Sequence, residues 1–593
     1  MILLDAIRDR LDALRRALAG RRVGVYPAQF GRFCGNMKGL LDGVDVRAIF
    51  APDEKRQDQG YARQGDPEAF LESIDACLLW GLDDGAAPLL LRAARRKRNP
   101  VFIDLLDPGD PFYLLASKPY VFADAMRLED SREVLAGLNI DASALSKNFN
   151  RSPETERRLR AAAPLVWRGR GDAWRPVMDQ ILRHGQAFSF CPVCGRPAAT
   201  DQSFPVAGPD FGGVVFYRFV CCLEYFLMSG VYGEGVYGLY APQGEFIARN
   251  HLGYEPGLDK AFAPKRYART ADDFKRLCLY YPQAVAAYLA GETPRELTAL
   301  TGVINQYGEH LNWEATALSR LEKSRVLGGR IKRVLAARHD PYDLAKLFRG
   351  VEVVSAVAAS EERAAAETFR RALGGNALCF LASDLSPVTD AFARRLLRIS
   401  RQKCPAGFLA RAAAFRKRHS LVLWISLRSR RRAWRGQVEG YPEVIRALFT
   451  RHPGLGVIFD GAPSWERETL AGIRERLPRE LDVFDATALA LHESVVCVHL
   501  ADFCIIAYGN GLTFPNIANL PGILHGPRKI MGLAPDVTQP VPFAPIAREN
   551  AAGWVCAPPV NEQDEADYLN AGNYDLDVPV LTELALDLAG KVE

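Results

Sequence analysis

The stretch Leu421-Val-Leu-Trp-Ile-Ser-Leu427 runs without a break into Arg428-Ser-Arg-Arg-Arg-Ala-Trp-Arg435. A short apolar run rich in β-branched and aromatic residues reads as a buried strand. Four arginines, Arg428, Arg430, Arg431 and Arg432, then fall within five positions at its carboxyl end. Ligands of open α/β sheets bind outside the carboxyl ends of the strands. Arginine there grips phosphate oxygens through two parallel hydrogen bonds. Place and chemistry together suit a diphosphate-bearing ligand such as a nucleotide sugar. A solvated basic helix start is the competing reading.

Working outward, strand-like and helix-like segments alternate on both sides of this junction. Residues 351–357, 377–382, 456–459 and 503–507 read as further strands, and 361–373, 433–449 and 465–477 as helices between them. The basic segment 400–418 reads as a linker, and the acidic tail from Pro558 as packing or hanging at the surface. Residues 256–345 are helical in period, most clearly at 272–290 and 312–322. Residues 186–255 turn rich in Gly, Tyr and Val, as antiparallel β structure with tight turns requires. Residues 1–185 alternate again, with strands at 23–26, 44–50, 74–80 and 101–104, and helices near 37–41 and 86–96. Ile7, Leu11, Leu14 and Leu18 share one helical face ahead of them. The glycines after the first strand, Gly31 and Gly35, do not have dinucleotide-binding spacing.

The expected fold is therefore α/β. An N-terminal Rossmann-like domain (1–185) and a small β-rich cysteine module (186–255) precede a pair of Rossmann-like halves. These are an acceptor-side half over 256–415 and a donor-binding half over 416–593.

Three further stretches carry candidate chemistry. Asp502-Phe-Cys-Ile-Ile-Ala-Tyr-Gly509-Asn510-Gly511-Leu-Thr513 is a strand ending in a Gly-Asn-Gly turn before a helix. Glycine lets a ligand approach the backbone, and a helix start offers N–H groups to an anion. Upstream, a helix over 489–499 would point His492 or Glu493 toward the same strand ends, and Glu493 could accept hydrogen bonds from ribose or a base. Third, Asn305-Gln-Tyr-Gly308-Glu309-His310-Leu-Asn312-Trp-Glu314 opens a helix. His310 titrates near neutrality and can act as a general base, with Glu309 or Glu314 orienting or replacing it. A capping or buried hydrogen-bonding role is the alternative for His310.

Residues 305–310 before a helix, the strand ending at Arg428, residues 489–494, Ala501-Asp502 and the turn Gly509–Thr513 follow one another in the order seen in GT-B glycosyltransferases. Over about residues 295–540 the chain most resembles glycosyltransferase family 61, with some likeness to the heptosyltransferase group. Gly509, Asn510, Gly511, Leu512 and Thr513 fall on the family's His-Gly-Ala-Gly-Leu-Thr turn, with Tyr508 for its His and Asn510 for its Ala. The resemblance implies a cleft between two Rossmann-like halves. It implies a nucleotide sugar donor whose diphosphate meets Arg428, Arg431 and Arg432, and a glycan acceptor deprotonated by His310. It also implies a role in bacterial surface or capsular polysaccharide synthesis. No catalytic metal is expected, because protein cations and helix N-termini can neutralise the leaving group. A catalytically inactive scaffold that binds glycans is the second reading, and Tyr508 favours it.

Cys191-Pro-Val-Cys194-Gly195-Arg196 is a knuckle that aims two thiolates at one point, and Cys221-Cys222 follows after a β-rich interval. The candidate metal ligands are Cys191, Cys194, Cys221 and Cys222. Neighbours on a strand face opposite ways, so the adjacent pair does not easily ligate one ion together, and one of them with His184 or Glu224 is the other way to complete the set. Two readings stand: a structural zinc, or a hairpin holding four unligated thiols. Neither is catalytic.

The composition bounds the rest. With 593 residues, 48% hydrophobic and 24% charged, the chain is an ordinary multidomain globular protein. A net charge of +5 on this length is no nucleic-acid signature, so no nucleic-acid partner is expected. Local runs such as Arg95-Arg96-Lys97-Arg98 and Arg416-Lys417-Arg418 could meet phosphates, anionic headgroups or water alone. Twelve cysteines in a chain this long suit a reducing compartment. No signal peptide or membrane-length apolar run is seen. The expected location is the cytoplasm, with peripheral contact at the inner face of the membrane as one option.

Overall fold

The computed structural model describes residues 12–26, 44–50, 62–64, 67–79, 101–104, 120–125, 127–149, 177–207, 213–230, 236–250, 264–291, 294–304, 306–358, 361–383, 388–430, 432–461, 463–527, 553–562 and 572–592. The helices expected near 37–41 and 86–96 lie outside them, as do Asn305 and Arg431.

The fold is mixed α/β; among the described residues it has three parallel sheets, one largely antiparallel sheet and two two-stranded antiparallel hairpins. The C-terminal sheet has six parallel strands. In spatial order they are Asp482–Asp485, Leu455–Asp460, Leu421–Ser426, Phe503–Ala507, Gly522–His525 and Trp554–Ala557. Numbered along the chain this is 3-2-1-4-5-6, the order of doubly wound nucleotide-binding sheets. Every residue of the Leu421–Ser426 strand is buried, because helices cover both faces of the sheet. The tail from Pro558 packs where it is described. It supplies the hairpin Pro559–Glu562/Tyr574–Leu576 and the helix Val578–Val592, which lies against Gln437–Arg451.

A second parallel sheet, Glu352–Ser355, Arg333–Ala336, Glu296–Thr301 and Ala377–Leu381, repeats the order 3-2-1-4. Its core is continuous with that of the first: Ala299 and Leu300 share a buried cluster with Val422 and Trp424. The segment 400–418, expected as a linker, is helical. Asp390–Lys403 and Ala406–Arg418 meet at Pro405, and their buried Leu396, Ile399, Phe408 and Phe415 belong to that core. The helical run expected over 272–290 is likewise two helices, Pro264–Tyr280 and Pro282–Ala290, because Pro282 cannot continue the first.

The edge strand Ala377–Leu381 ends its sheet on side-chain hydroxyls. Cys379 N–H donates to Ser203 Oγ (2.7 Å), Tyr217 Oη donates to Cys379 O (3.0 Å), and Tyr288 Oη donates to Ala377 O (2.8 Å). Ser203 and Tyr217 belong to the third layer, a six-stranded sheet from Val121–Asp124 and strands between Ser203 and Arg249. The expected boundary at 185/186 thus falls inside the span of this sheet. Ahead of it, a five-stranded parallel sheet lies between Arg22 and Asp104. Leu14 and Leu18, on the expected amphipathic helix, are fully buried.

Candidate functional site

The order of the C-terminal sheet reverses between Leu421–Ser426 and Phe503–Ala507, which pair in parallel. Crevices form at the carboxyl ends of such reversal points. Arg428 leaves the first strand there and Gly509 leaves the second. Arg428 Nη1 donates to Tyr508 O at 3.1 Å. Gly509 has φ +152°, and a Cβ on it would sit 1.8 Å from Arg428 Nη1. A Cβ on Gly511 would sit 2.1 Å from Ser426 Oγ. A side chain at either glycine would press on Arg428 or Ser426, so the arginine strand end and the glycine bend form one surface. Asn510–Leu512 is a single 3-10 turn leading into the helix Thr513–Ala518, where Thr513 is buried.

The arginine run divides. Burial, and then the neighbouring Arg432, push Arg428 down to about 10. Like charges side by side each disfavour the other's charged form. Arg432 reaches this place from a left-handed backbone, φ +57°. Arg430 is exposed, and Arg435 turns away to pair with Asp575.

Beneath the arginines lie two carboxyl groups that no motif singles out. Glu466 is buried on the helix Pro463–Arg474. Its Oε1 accepts from Ser429 N (3.2 Å) and Ser429 Oγ (3.3 Å), so it holds the loop that carries Arg428. Asp460 ends the adjacent strand, and burial with Glu466 nearby pushes it up to about 7. Gln437 Nε2 donates to Arg428 O (2.9 Å) from the other side. A signal existed only at Asp460, an acid closing an apolar strand-like run.

Glu493 stands in the first turn of the helix Leu491–Val498, after the Asp482–Asp485 strand. Its Oε2 accepts from Ala490 N (2.9 Å), closing the helix start, and its side chain is half-buried.

The second sheet presents its own carboxyl edge to this surface. Past Glu296–Thr301 the chain turns at Gly302, φ +68°, and enters the short helical segment Tyr307–Glu309. The Tyr307 ring stacks on Phe514 of the C-terminal half, centroids 5.3 Å apart and planes 21° apart. The segment that carries Glu309 is thereby placed next to the glycine bend. The helix continues as a π-helix, His310–Ala315, before Thr316–Lys323. Such wide turns are frequent at functional sites.

His310 itself is fully buried, and neither ring nitrogen makes a hydrogen bond of ordinary geometry among the described residues. Burial pushes it down to about 4, so it is neutral at physiological pH. Its Nε2 lies 3.8 Å from Glu314 Oε2. Glu314 accepts from Gly302 N and Val303 N (both 3.2 Å), and burial raises it to about 8. The pair is a walled-in brace for the turn, while Glu309 is half-buried.

Away from this cleft, Cys191, Cys194, Cys221 and Cys222 converge, with all four sulfurs within 4.8 Å of one another. The expectation that adjacent cysteines diverge fails because Cys221 and Cys222 occupy the turn between Val214–Val220 and Glu224–Gly230, not a strand. Glu224 takes no place in the cluster and pairs with Arg218 (2.7 Å). His184, not in the cluster either, packs edge-on against Phe188.

The sequence matches no protein-family model and is similar to no curated protein at significance. Among solved structures, the chain overlays loosely on a glycosyl transferase family 9 protein from Veillonella parvula at 11% identity. The overlay covers 51% of this chain and 98% of that one, with a TM-score of 0.33. It overlays similarly on the E. coli ADP-heptose LPS heptosyltransferase II at 12% identity, covering 50% and 99%, with a TM-score of 0.32. A UDP-GlcNAc 2-epimerase from Methanocaldococcus jannaschii overlays at 15% identity over 35% and 63%, with a TM-score of 0.18. Overlays this loose establish no kinship. Among the described residues no helix is long and apolar enough to cross a membrane.

Proposed function

We propose that this chain is a glycosyltransferase of the two-lobed GT-B kind. It moves a sugar from a nucleotide-activated donor to a glycan acceptor in bacterial surface or capsular polysaccharide synthesis. One observation carries the reading: Arg428 and Gly509 meet at the reversal point of a 3-2-1-4-5-6 parallel sheet, opposite the carboxyl edge of a second such sheet. In this reading the donor diphosphate lies against Arg428 and Arg432, with Arg431 in the same loop, and against the backbone of Gly509, Asn510 and Gly511. Thr513 opens the following helix. The charge that develops as the diphosphate departs is met by these fixed cations and N–H groups. Glu493 keeps one carboxylate oxygen for the nucleoside.

Across the cleft, Glu309 is the carboxylate placed to take the acceptor's proton. His310, expected from its type as the base, is enclosed and serves instead as a positioning residue for the Glu309 turn, together with Glu314.

The test is a thermal-shift and calorimetric screen of nucleoside diphosphates and nucleotide sugars. A ligand that binds only the folded chain raises its stability. The expected result is stabilisation by at least one nucleoside diphosphate, lost in Arg428→Ala with the fold intact. Glu309→Gln should bind that ligand normally but transfer no sugar. A well-folded chain that ignores every nucleotide would sink the proposal and leave the inactive glycan-binding scaffold in its place.

A further inference from the structure

The four-cysteine cluster lies outside the cleft and plays no part in the function proposed above. Cys191 and Cys194 flank the turn of the hairpin Ala187–Phe190/Pro197–Thr200, and Cys221 and Cys222 form the turn of a second hairpin in another sheet. The first turn is shaped for ligation. Gly195 N–H donates to Cys191 O (2.9 Å), Cys191 N–H donates to Arg196 O (2.9 Å), and Gly195 has φ +65°. Glycine permits that conformation without strain. A tetrahedron of sulfurs around a metal with bonds of about 2.3 Å has edges of about 3.8 Å. The Cys194–Cys221 sulfur separation is 3.7 Å, and none in the cluster exceeds 4.8 Å.

The surroundings are also those of a thiolate site. Arg196 Nε donates to Cys194 Sγ at 3.4 Å, and the Lys147 ammonium lies 3.1 Å from where a Cβ on Gly195 would be. Four thiolates around a divalent ion carry a net charge of −2, and neighbouring cations of this kind offset it. The first hairpin is short. Its strands are four residues each, and its main anchor is Asn148, whose side chain bonds both Phe190 N and Phe190 O at 2.9 Å. A two-stranded hairpin is marginal alone in water.

We infer that Cys191, Cys194, Cys221 and Cys222 form a closed tetrathiolate site for one structural zinc ion that ties the two hairpins together. A sulfur-only tetrahedral set selects zinc or iron among the common metals, and four protein ligands leave no position for substrate.

The experiment uses the full chain, purified under reducing conditions without added chelator. Metal analysis should find about one zinc per chain, as a site of four thiolates holds. An organomercurial titration should release that zinc in step with the modification of four thiols. Cobalt(II) replacement should give the intense visible absorption of a tetrahedral thiolate complex. The double variant C191S/C222S should lose at least nine-tenths of the metal. Should that variant not fold, the mercurial and cobalt measurements on the unaltered chain still decide. Stoichiometric iron, a Cys194–Cys221 or Cys221–Cys222 disulfide in the folded protein, or a metal-free chain whose melting ignores added zinc would each overturn the inference. None of these outcomes bears on nucleotide binding.

Discussion

Gly509→Ala is the sharpest probe of the cleft, because its expected effect runs entirely through another residue. The new Cβ would lie 1.8 Å from Arg428 Nη1, where non-bonded contacts settle at roughly 3.5 Å. The guanidinium must retreat by roughly 1.5 Å, breaking its hydrogen bond to Tyr508 O. A charge-assisted hydrogen bond is worth about 1.5–3 kcal/mol, so losing one to a bound phosphate weakens binding about 10- to 150-fold. Backbone strain at φ +152° adds about 1–3 kcal/mol of global destabilisation, readable by denaturant melting. Calorimetry with the best nucleoside diphosphate would be run on four proteins: the parent, G509A, R428A and the double variant. If G509A acts by displacing Arg428, the double variant binds no worse than R428A, and the cycle shows a large coupling energy. Additive losses, or parental affinity in G509A, would refute the reasoning.

Two further outcomes follow from the buried groups. Glu314 titrates near 8 in the folded chain against 4.5 when free, so between those values the folded state holds a proton that the unfolded chain has released. Stability therefore falls as pH rises from about 5 to about 8, and Glu314→Gln should remove about one proton's worth of that slope in pH-dependent melting. At the same carboxyl edge of the C-terminal sheet, one strand over from the glycine bend, His525 is fully buried between Tyr574 Oη (2.7 Å from Nδ1) and Tyr441 Oη (3.0 Å from Nε2). Tyr574→Phe leaves a buried ring nitrogen unbonded and should cost about 1–3 kcal/mol in denaturant unfolding while leaving metal content unchanged.

Five of the ten strands in the two parallel sheets at the site were legible in the sequence, and two of the others, Glu296–Thr301 and Arg333–Ala336, lie in the 256–345 stretch expected to be helical. The apolar runs at 421–427, 456–459 and 503–507 lie within one residue of the observed strands, because a strand covered on both faces is apolar throughout. Strands such as Asp482–Asp485 and Arg333–Ala336 were missed: each is four residues long and opens on a charged residue. The 400–418 segment misled because six of its residues are Lys or Arg, which hid the few apolar positions it buries. At the site, the arginine end and the glycine bend could be read as neighbours, but their contact could not. Asp460 and Glu466 stayed hidden because their meaning depends on which strand ends the fold brings side by side. The enclosure of His310 was illegible for a related reason: a residue's type reveals its chemistry, whereas its access to solvent is decided by Tyr342 and the turn packed over it.

The hydroxyl-capped margin of the four-stranded sheet has a consequence for dissecting this protein. Backbone groups along an open margin invite pairing with other chains. Here Ser203, Tyr217 and Tyr288 occupy those of Ala377 and Cys379, and all three precede residue 296 in the chain. A fragment cut to begin at the first strand of the two-lobed unit would lose these lids together. It would present a sticky flank to its copies, so its aggregation would reflect the cut and not the intrinsic quality of the lobes.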